Sequence, residues 1–218
     1  MLRPKRMQVF VAGCFVLAFL APAAARASSV FVIETNTSSL SGSGYIDLQY
    51  NANAGAGAST ATITDFSTNG SLGGAATISL VGDASGNLAS TVTILNGALN
   101  DSGYNDYNEA ITFGTFIEFL VTLSAPVGGT TNSAFIVSYY ASDDSTPVLS
   151  TNPSGASALL TVEPNGTVLT ATYADASGAY DSTINGSSSV PEPSSVLFAA
   201  AGMALLAGGA VRNRRPAR

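Results

Sequence analysis

Short runs of alternating apolar and polar residues dominate the middle of the chain. Between Tyr45 and Tyr50, for example, Ile46 and Leu48 would lie on one face of a strand, with polar positions on the other face. Comparable runs recur about nine times between polar turns, and no segment has the 3.6-residue period of an amphipathic helix. The pattern therefore predicts an all-β domain over residues 28–180. We expect an antiparallel β-sandwich that is jelly-roll-like, although periodicity does not distinguish a sandwich from a barrel.

Local composition predicts three further segments. Ile111–Leu123 has the strongest strand pattern of the domain and is expected to form one central strand, with a bulge at Gly114. Asn96–Glu109 is rich in Asn, Asp and Gly and is predicted to be a polar loop. Residues 181–190 are rich in Ser, so we expect a flexible Ser/Gly linker at the end of the domain.

The first 27 residues have the three parts of a secretory signal peptide. A positively charged start precedes the apolar run Met7–Leu20, and Ala25 and Ala27 are small residues at the positions that signal peptidase recognises. We expect cleavage after Ala27, which makes Ser28 the first residue of the mature protein. The alternatives are an uncleaved anchor helix and lipidation of Cys14. The apolar run is short for a membrane span, and it continues past that cysteine.

Residues 191–218 follow a second, different pattern. Pro191, Glu192 and Pro193 precede a largely apolar stretch over residues 195–211, which is predicted to be one transmembrane helix. An arginine cluster at residues 212–218 closes the chain and consists of Arg212, Arg214, Arg215 and Arg218. Because arginine crosses a bilayer at high cost, the cluster is expected to stop translocation and to stay in the cytoplasm. The domain before it would then face the periplasm, in agreement with the N-terminal signal peptide.

The order of these C-terminal features resembles the PEP-CTERM sorting signal, over residues 190–218. The resemblance implies that an exosortase, a membrane-embedded processing enzyme, recognises the tail and removes it. It also implies a Gram-negative bacterium that makes exopolysaccharide, and release or attachment of the domain outside the cell. The alternative is a simple C-terminal membrane anchor.

Basic residues are confined to the two ends of the chain. All eight Lys and Arg lie before Ala27 or after Val211, and there is no His. The fourteen acidic residues less Glu192 leave thirteen in residues 28–190, a formal charge of −13. Nothing in that segment can neutralise phosphates, so nucleic acid is excluded as a partner. His-based triads, zinc sites and Schiff-base lysines are excluded as well, which leaves only paired carboxylates, and we expect no enzyme.

The polar loop supplies one candidate metal site. Asp101, Asn105, Asp106 and Glu109 bring together carboxylate and amide oxygens, the ligands that calcium prefers. Their spacing does not fit an EF-hand, and the alternative is a solvated loop rich in Asn and Asp. We therefore expect no cofactor, with calcium as the alternative.

Tyrosines supply the second set of candidate binding residues. Exposed tyrosines stack on sugar rings, whereas buried ones pack in the core or along a strand. The candidates are Tyr104, Tyr107, Tyr139 and Tyr140.

Together these features predict a secreted, non-catalytic surface or extracellular-matrix protein that is associated with exopolysaccharide in a biofilm. The alternative is a carbohydrate-binding module, with or without calcium, that retains polysaccharide. The expected partners are signal peptidase, the exosortase, the inner membrane transiently, and exopolysaccharide. The precursor would be anchored in the inner membrane, and the mature form would be at the cell surface or extracellular.

Overall fold

The computed structural model describes residues 28–97 and 104–190, which fold into an all-β unit. The strands of these residues are β1 (Ser28–Asn36), β2 (Ser43–Ala52), β3 (Thr60–Thr68), β4 (Ser71–Leu72), β5 (Ile78–Val81), β6 (Ala84–Asn87), β7 (Thr91–Leu95), β8 (Asp106–Thr112), β9 (Phe116–Leu123), β10 (Ser133–Tyr140), β11 (Ala156–Val162), β12 (Val168–Thr172) and β13 (Ser182–Val190). A short 3₁₀ helix, Ala75–Thr77, precedes β5.

The strands form two antiparallel sheets. The first sheet has six strands in the order β13-β1-β9-β3-β7-β6, and the second has seven in the order β12-β11-β10-β2-β8-β4, with β5 also paired to β8. The chain passes repeatedly from one sheet to the other, so most neighbouring strands are far apart in sequence. The predicted all-β antiparallel architecture is confirmed, with more strands than the eight of a jelly roll.

Both sheets contribute to one hydrophobic core. In β9 every second residue from Ile117 to Leu123 is buried. The second sheet adds Tyr50 and Phe135, whose rings meet edge to face with centroids 6.3 Å apart. The alternation of apolar residues therefore reports correctly which side of each strand faces the core.

The prediction of one strand over Ile111–Leu123 is wrong. The segment is divided between the end of β8 and the whole of β9, which lie in different sheets. The chain turns at Gly114, where an added Cβ would collide with the Asn69 side chain and the backbone nitrogen of Gly70. This glycine is therefore needed where the chain leaves one sheet for the other, and not for a bulge within a strand.

The linker predicted for residues 181–190 is also wrong, because residues 182–190 form β13. This strand pairs with β1 along its length, from Thr35↔Ser182 to Ser28↔Val190. The register shifts between Val30 and Val32, opposite Gly186, whose φ of 99° is one that glycine adopts readily. The Ser-rich segment that resembles a linker in sequence therefore forms an edge strand with a bulge.

The compact unit of the fold spans Ala27–Val190, so it extends beyond the predicted end at residue 180. Within residues 28–97 and 104–190, no helix has the length and apolar character needed to cross a membrane. The predicted signal peptide and the predicted transmembrane helix over 195–211 lie outside the described residues.

Candidate functional site

A row of polar residues crosses the second sheet on the face that points away from the core. Asp47 of β2 lies opposite Asn108 of β8 on one side and opposite Ser138 of β10 on the other. Asp106 lies two residues before Asn108 in β8, so it is on the same face of the sheet and diagonal to Asp47. Antiparallel pairing thus brings three strands together to form an acidic cluster of Asp47, Asp106, Asn108 and Ser138.

This acidic cluster is buried although it lies on the outer face of a sheet. The exposed fraction is 5% for Asp47, 6% for Asp106 and 1% for Ser138. The loop after β10 reaches the cluster, because the Asn108 amide nitrogen donates a hydrogen bond of 2.9 Å to Asp144. Burial of carboxylates without a positive partner is unusual, since the charged form loses its hydration.

The turn that carries Asp144 is held in place by its neighbour. Asp143 accepts hydrogen bonds from the backbone nitrogens of Ser145 and Thr146, at 3.1 and 3.0 Å, and from the Thr146 hydroxyl at 2.6 Å. These bonds lower the pKa of the exposed Asp143 carboxyl to about 2, and the Thr146 hydroxyl bond contributes most. Asp144 itself has a φ of 53°, a left-handed conformation that Asp tolerates better than most residues.

Electrostatic repulsion and burial act together on the two buried aspartates. The carboxyl groups of Asp47 and Asp106 are hydrogen-bonded to each other. Burial, followed by the charge of Asp47, raises the pKa of Asp106 from 3.8 to about 8. Burial also raises the pKa of Asp47 and, together with the Asp47 charge, that of the nearby Tyr140 phenol. Without a metal, the pair therefore holds a proton at neutral pH.

Three oxygens of the cluster have no hydrogen-bond partner among the described residues. They are Oδ1 of Asp47, Oδ1 of Asp106 and the hydroxyl of Ser138. Buried polar atoms are nearly always paired, so three unpaired oxygens on one sheet face mark a place that can accept a ligand.

The metal site predicted from sequence is not assembled by the structure. Asn105 precedes β8, and Asp106 and Glu109 are within that strand, so they do not belong to a solvated loop. Glu109 points into the core and Asp106 points away from it, so the two carboxylates cannot bind the same ion. Asp101 lies outside the described residues, among which no group of three or more His, Cys, Asp or Glu side chains has the arrangement of a metal site.

The inward residues of this segment have structural partners instead. Glu109 accepts a hydrogen bond from the Tyr107 hydroxyl, which in turn accepts one from the Leu88 nitrogen at 3.1 Å. Burial and the bond to Glu109 raise the pKa of Tyr107 above its usual value. The Asn105 amide bonds the backbone of Asp83 and Tyr50, at 3.0 and 3.2 Å.

Two of the four tyrosines predicted to bind sugar are inside the protein. Tyr107 and Tyr139 are fully buried, and the Tyr139 hydroxyl donates to Thr35 at 3.0 Å. Tyr140 is half-buried beside the acidic cluster, and Tyr104 is exposed. A buried ring cannot stack on a sugar, so the structure corrects the prediction for Tyr107 and Tyr139.

A second acidic surface lies on the outer face of the six-stranded sheet. Glu34 of β1 stands directly opposite Glu118 of β9, and both side chains are exposed. They line an open groove of about 370 Å³ that also includes Asp181. Like charges opposite each other destabilise a sheet, although water screens this pair far better than the buried one.

Asp47 is the functional candidate that sequence reasoning missed. The alternation in β2 places it correctly on the polar face, but nothing nearby in the sequence indicates that it meets Asp106. Its position in the sequence could have identified it, because Asp47 is a charged residue between two apolar residues in the middle of a strand.

The two ends of the domain meet at one place. Because β1 and β13 are antiparallel, Ser28 pairs with Val190, the last residue before Pro191. The first and last residues of this all-β domain, Ser28 and Val190, therefore lie side by side in one sheet.

Comparison with protein families identifies the C-terminal segment of the chain. Residues 189–215 match the PEP-CTERM protein-sorting motif. The chain is therefore a protein that carries a PEP-CTERM sorting motif, which confirms the resemblance and implies export and processing by an exosortase. Neither the curated proteins nor the solved structures contain a match to this chain.

Proposed function

We propose that this chain is the precursor of a non-catalytic surface or extracellular-matrix protein. The sorting motif at residues 189–215 is the observation that carries the proposal. In this scheme signal peptidase removes residues 1–27, the C-terminal segment holds the precursor at the inner membrane, and an exosortase cuts near Pro191-Glu192-Pro193. The folded domain is then released or attached outside the cell.

The position of the domain ends supports this double processing. One predicted cut precedes Ser28 and the other follows Val190, and these two residues are paired in one strand ladder. The compact unit Ala27–Val190 almost coincides with the predicted product. Both cuts would therefore leave the sandwich whole.

The chemistry of the domain supports a non-catalytic role. Residues 28–190 have no His, Lys, Arg or Cys, which removes most nucleophile and general-base arrangements. The Asp47–Asp106 pair resembles the carboxylate pair of a glycosidase in composition alone. Its carboxyls contact each other and are buried, whereas glycosidase carboxylates are at least about 5 Å apart, with sugar or water between them.

We further propose that the mature protein resides with exopolysaccharide, as the sorting motif implies for its host. Such a role depends on the bulk properties of an acidic domain and requires no individual sugar site. The carbohydrate-binding alternative depended on exposed tyrosines, but Tyr107 and Tyr139 are buried in the core. We therefore do not propose that alternative.

The test is expression of the full chain in an exopolysaccharide-producing host, with and without its exosortase. We expect a loss of about 2–3 kDa from the C-terminus only when the enzyme is present, because about 25–28 residues would be removed. Intact-mass measurement of the surface fraction detects the change. Glu192→Gln should leave an uncut precursor in the inner-membrane fraction.

Glu163→Gln is the matched control, because Glu163 also precedes a proline but lies in the turn between β11 and β12. It should be processed like the wild-type chain. A surface protein that still carries Arg218 in the wild-type host would show that the tail is only an anchor, and the proposal would be wrong.

A further inference from the structure

We propose that Asp47 and Asp106 bind a calcium ion on the outer face of the seven-stranded sheet, with the Ser138 hydroxyl as a neutral ligand. This inference goes beyond sorting and processing, and it does not depend on them. It replaces the calcium site predicted from the loop with one made by three strands.

The first argument is the set of unpaired oxygens. Oδ1 of Asp47 and Oδ1 of Asp106 are buried without a hydrogen-bond donor among the described residues. Ser138, which is 1% exposed and opposite Asp47 in the ladder, presents a third buried oxygen that makes no well-formed hydrogen bond, although the Tyr140 phenol lies close to it. A cation coordinated by these oxygens would satisfy all three at once, which no donor of the described chain does.

The second argument is charge. Two carboxylates in contact repel each other in a buried place, and residues 28–190 offer no Lys, Arg or His to compensate them. Only a proton or an external cation can do so. Asp144 adds a third carboxylate through its bond to Asn108, which makes the surroundings still more favourable for a cation.

The third argument is the chemistry of the ligands. All the available atoms are hard oxygens, which select calcium or magnesium over zinc and copper. Calcium accepts irregular geometry and a mixture of carboxylate, hydroxyl and water, whereas magnesium requires near-ideal octahedral coordination. Two carboxylates make a weak site, with a Kd on the order of 10⁻⁴–10⁻³ M, as in extracellular calcium modules.

The experiment measures thermal unfolding of the mature domain, residues 28–190, at about pH 8 and constant ionic strength of about 0.15 M. Calcium should raise Tm in a saturable way, by about 3 °C or more at about 10 mM, and magnesium should not match it. Terbium luminescence should report direct binding that calcium displaces.

Asp47→Asn combined with Asp106→Asn should abolish the calcium response and the terbium signal. The variant keeps the shape of both side chains, and it should melt higher than the wild type without calcium because the repulsion is gone. The matched control is Glu34→Gln combined with Glu118→Gln, which removes two charges from the other sheet and should keep the full response.

Ser138→Ala is a second, milder variant, because it removes an unpaired hydroxyl from a buried position. It should fold normally and weaken calcium binding several-fold. The proposal is wrong if calcium and magnesium act equally, or if the calcium response persists in the Asp47/Asp106 variant. It is equally wrong if Tm depends on pH but not on calcium, because the pair would then share only a proton.

Discussion

At the scale of single residues, the aspartates fall into two groups with opposite proton affinities. Asp143 and Asp175 are exposed and accept hydrogen bonds from nearby hydroxyl and N–H groups, so their pKa values are lowered. Asp47 and Asp106 are buried beside each other, so their pKa values are raised. The same residue type thus stabilises turns when ionised, and becomes a destabilising pair when buried and ionised.

This contrast predicts how stability depends on pH when divalent cations are absent. The native state holds a proton on the Asp47–Asp106 pair from about pH 4 to about pH 8, where an unfolded Asp has lost it. Unfolding therefore releases a proton, and the free energy of unfolding should fall as pH rises through this range, by on the order of a few kcal/mol. Urea denaturation at about pH 5 and pH 8 with a chelator measures the difference.

Few other groups interfere with this measurement, because residues 28–190 have no His or Cys that would titrate between pH 5 and pH 8. Asp144 and the Tyr140 phenol face the pair, and burial raises the pKa of Tyr140 above its usual value. The Asp47→Asn, Asp106→Asn variant should show a much flatter profile, apart from the Ser28 amine. Wild-type stability that rises from pH 5 to pH 8 would contradict the assignment.

At the scale of elements, β13 covers the edge of the first sheet that β1 would otherwise form. It pairs with β1, and Ile184 packs against the core. The Ser182 hydroxyl bonds the Thr35 hydroxyl at 3.0 Å, and Thr35 also receives the Tyr139 hydroxyl bond. Without β13, β1 would present a bare edge to other chains.

We therefore expect a chain of residues 28–181 to be much less stable than one of residues 28–190. The loss of the ladder and of the Ile184 contact should lower Tm by about 10 °C or more, or cause association through β1. Calorimetry and size-exclusion chromatography measure the two effects. The chain that ends at Val190 is the control, because it lacks the tail but keeps β13. Equal melting temperatures would show that β13 contributes nothing to the fold.

At the scale of the whole molecule, charge is the dominant property. Thirteen acidic side chains act on one another within residues 28–190 without a single basic side chain between them. Glu34 and Glu118 stand opposite each other in the sheet, which adds a local repulsion to the general one. Stability is therefore set partly by the surrounding ions.

Raising sodium chloride from about 0.02 M to about 0.3 M should raise Tm of the mature domain by a few °C, because the screening length becomes shorter than the spacing of the surface charges. Thermal melting at fixed pH with a chelator measures it. Glu34→Gln combined with Glu118→Gln should melt higher at low salt and gain less from added salt. A Tm that is constant or falls over this range would show that repulsion is unimportant.

The sequence by itself determined the properties that are local or additive. Alternation identified the strand class and the inward face of β2, because side-chain direction follows from position along one strand. The charge of the domain and the sorting motif over residues 189–215 are equally readable, since neither depends on the fold.

Only the tertiary structure decided which strands are neighbours. It divided Ile111–Leu123 between two sheets, made β13 from residues that resemble a linker, and separated Glu109 from Asp106. It also placed Asp47 beside Asp106, although they lie on strands well separated in the chain. The physical reason is that β-pairing joins residues remote in sequence, and the choice of partner is settled by how all the strands bury their apolar faces together.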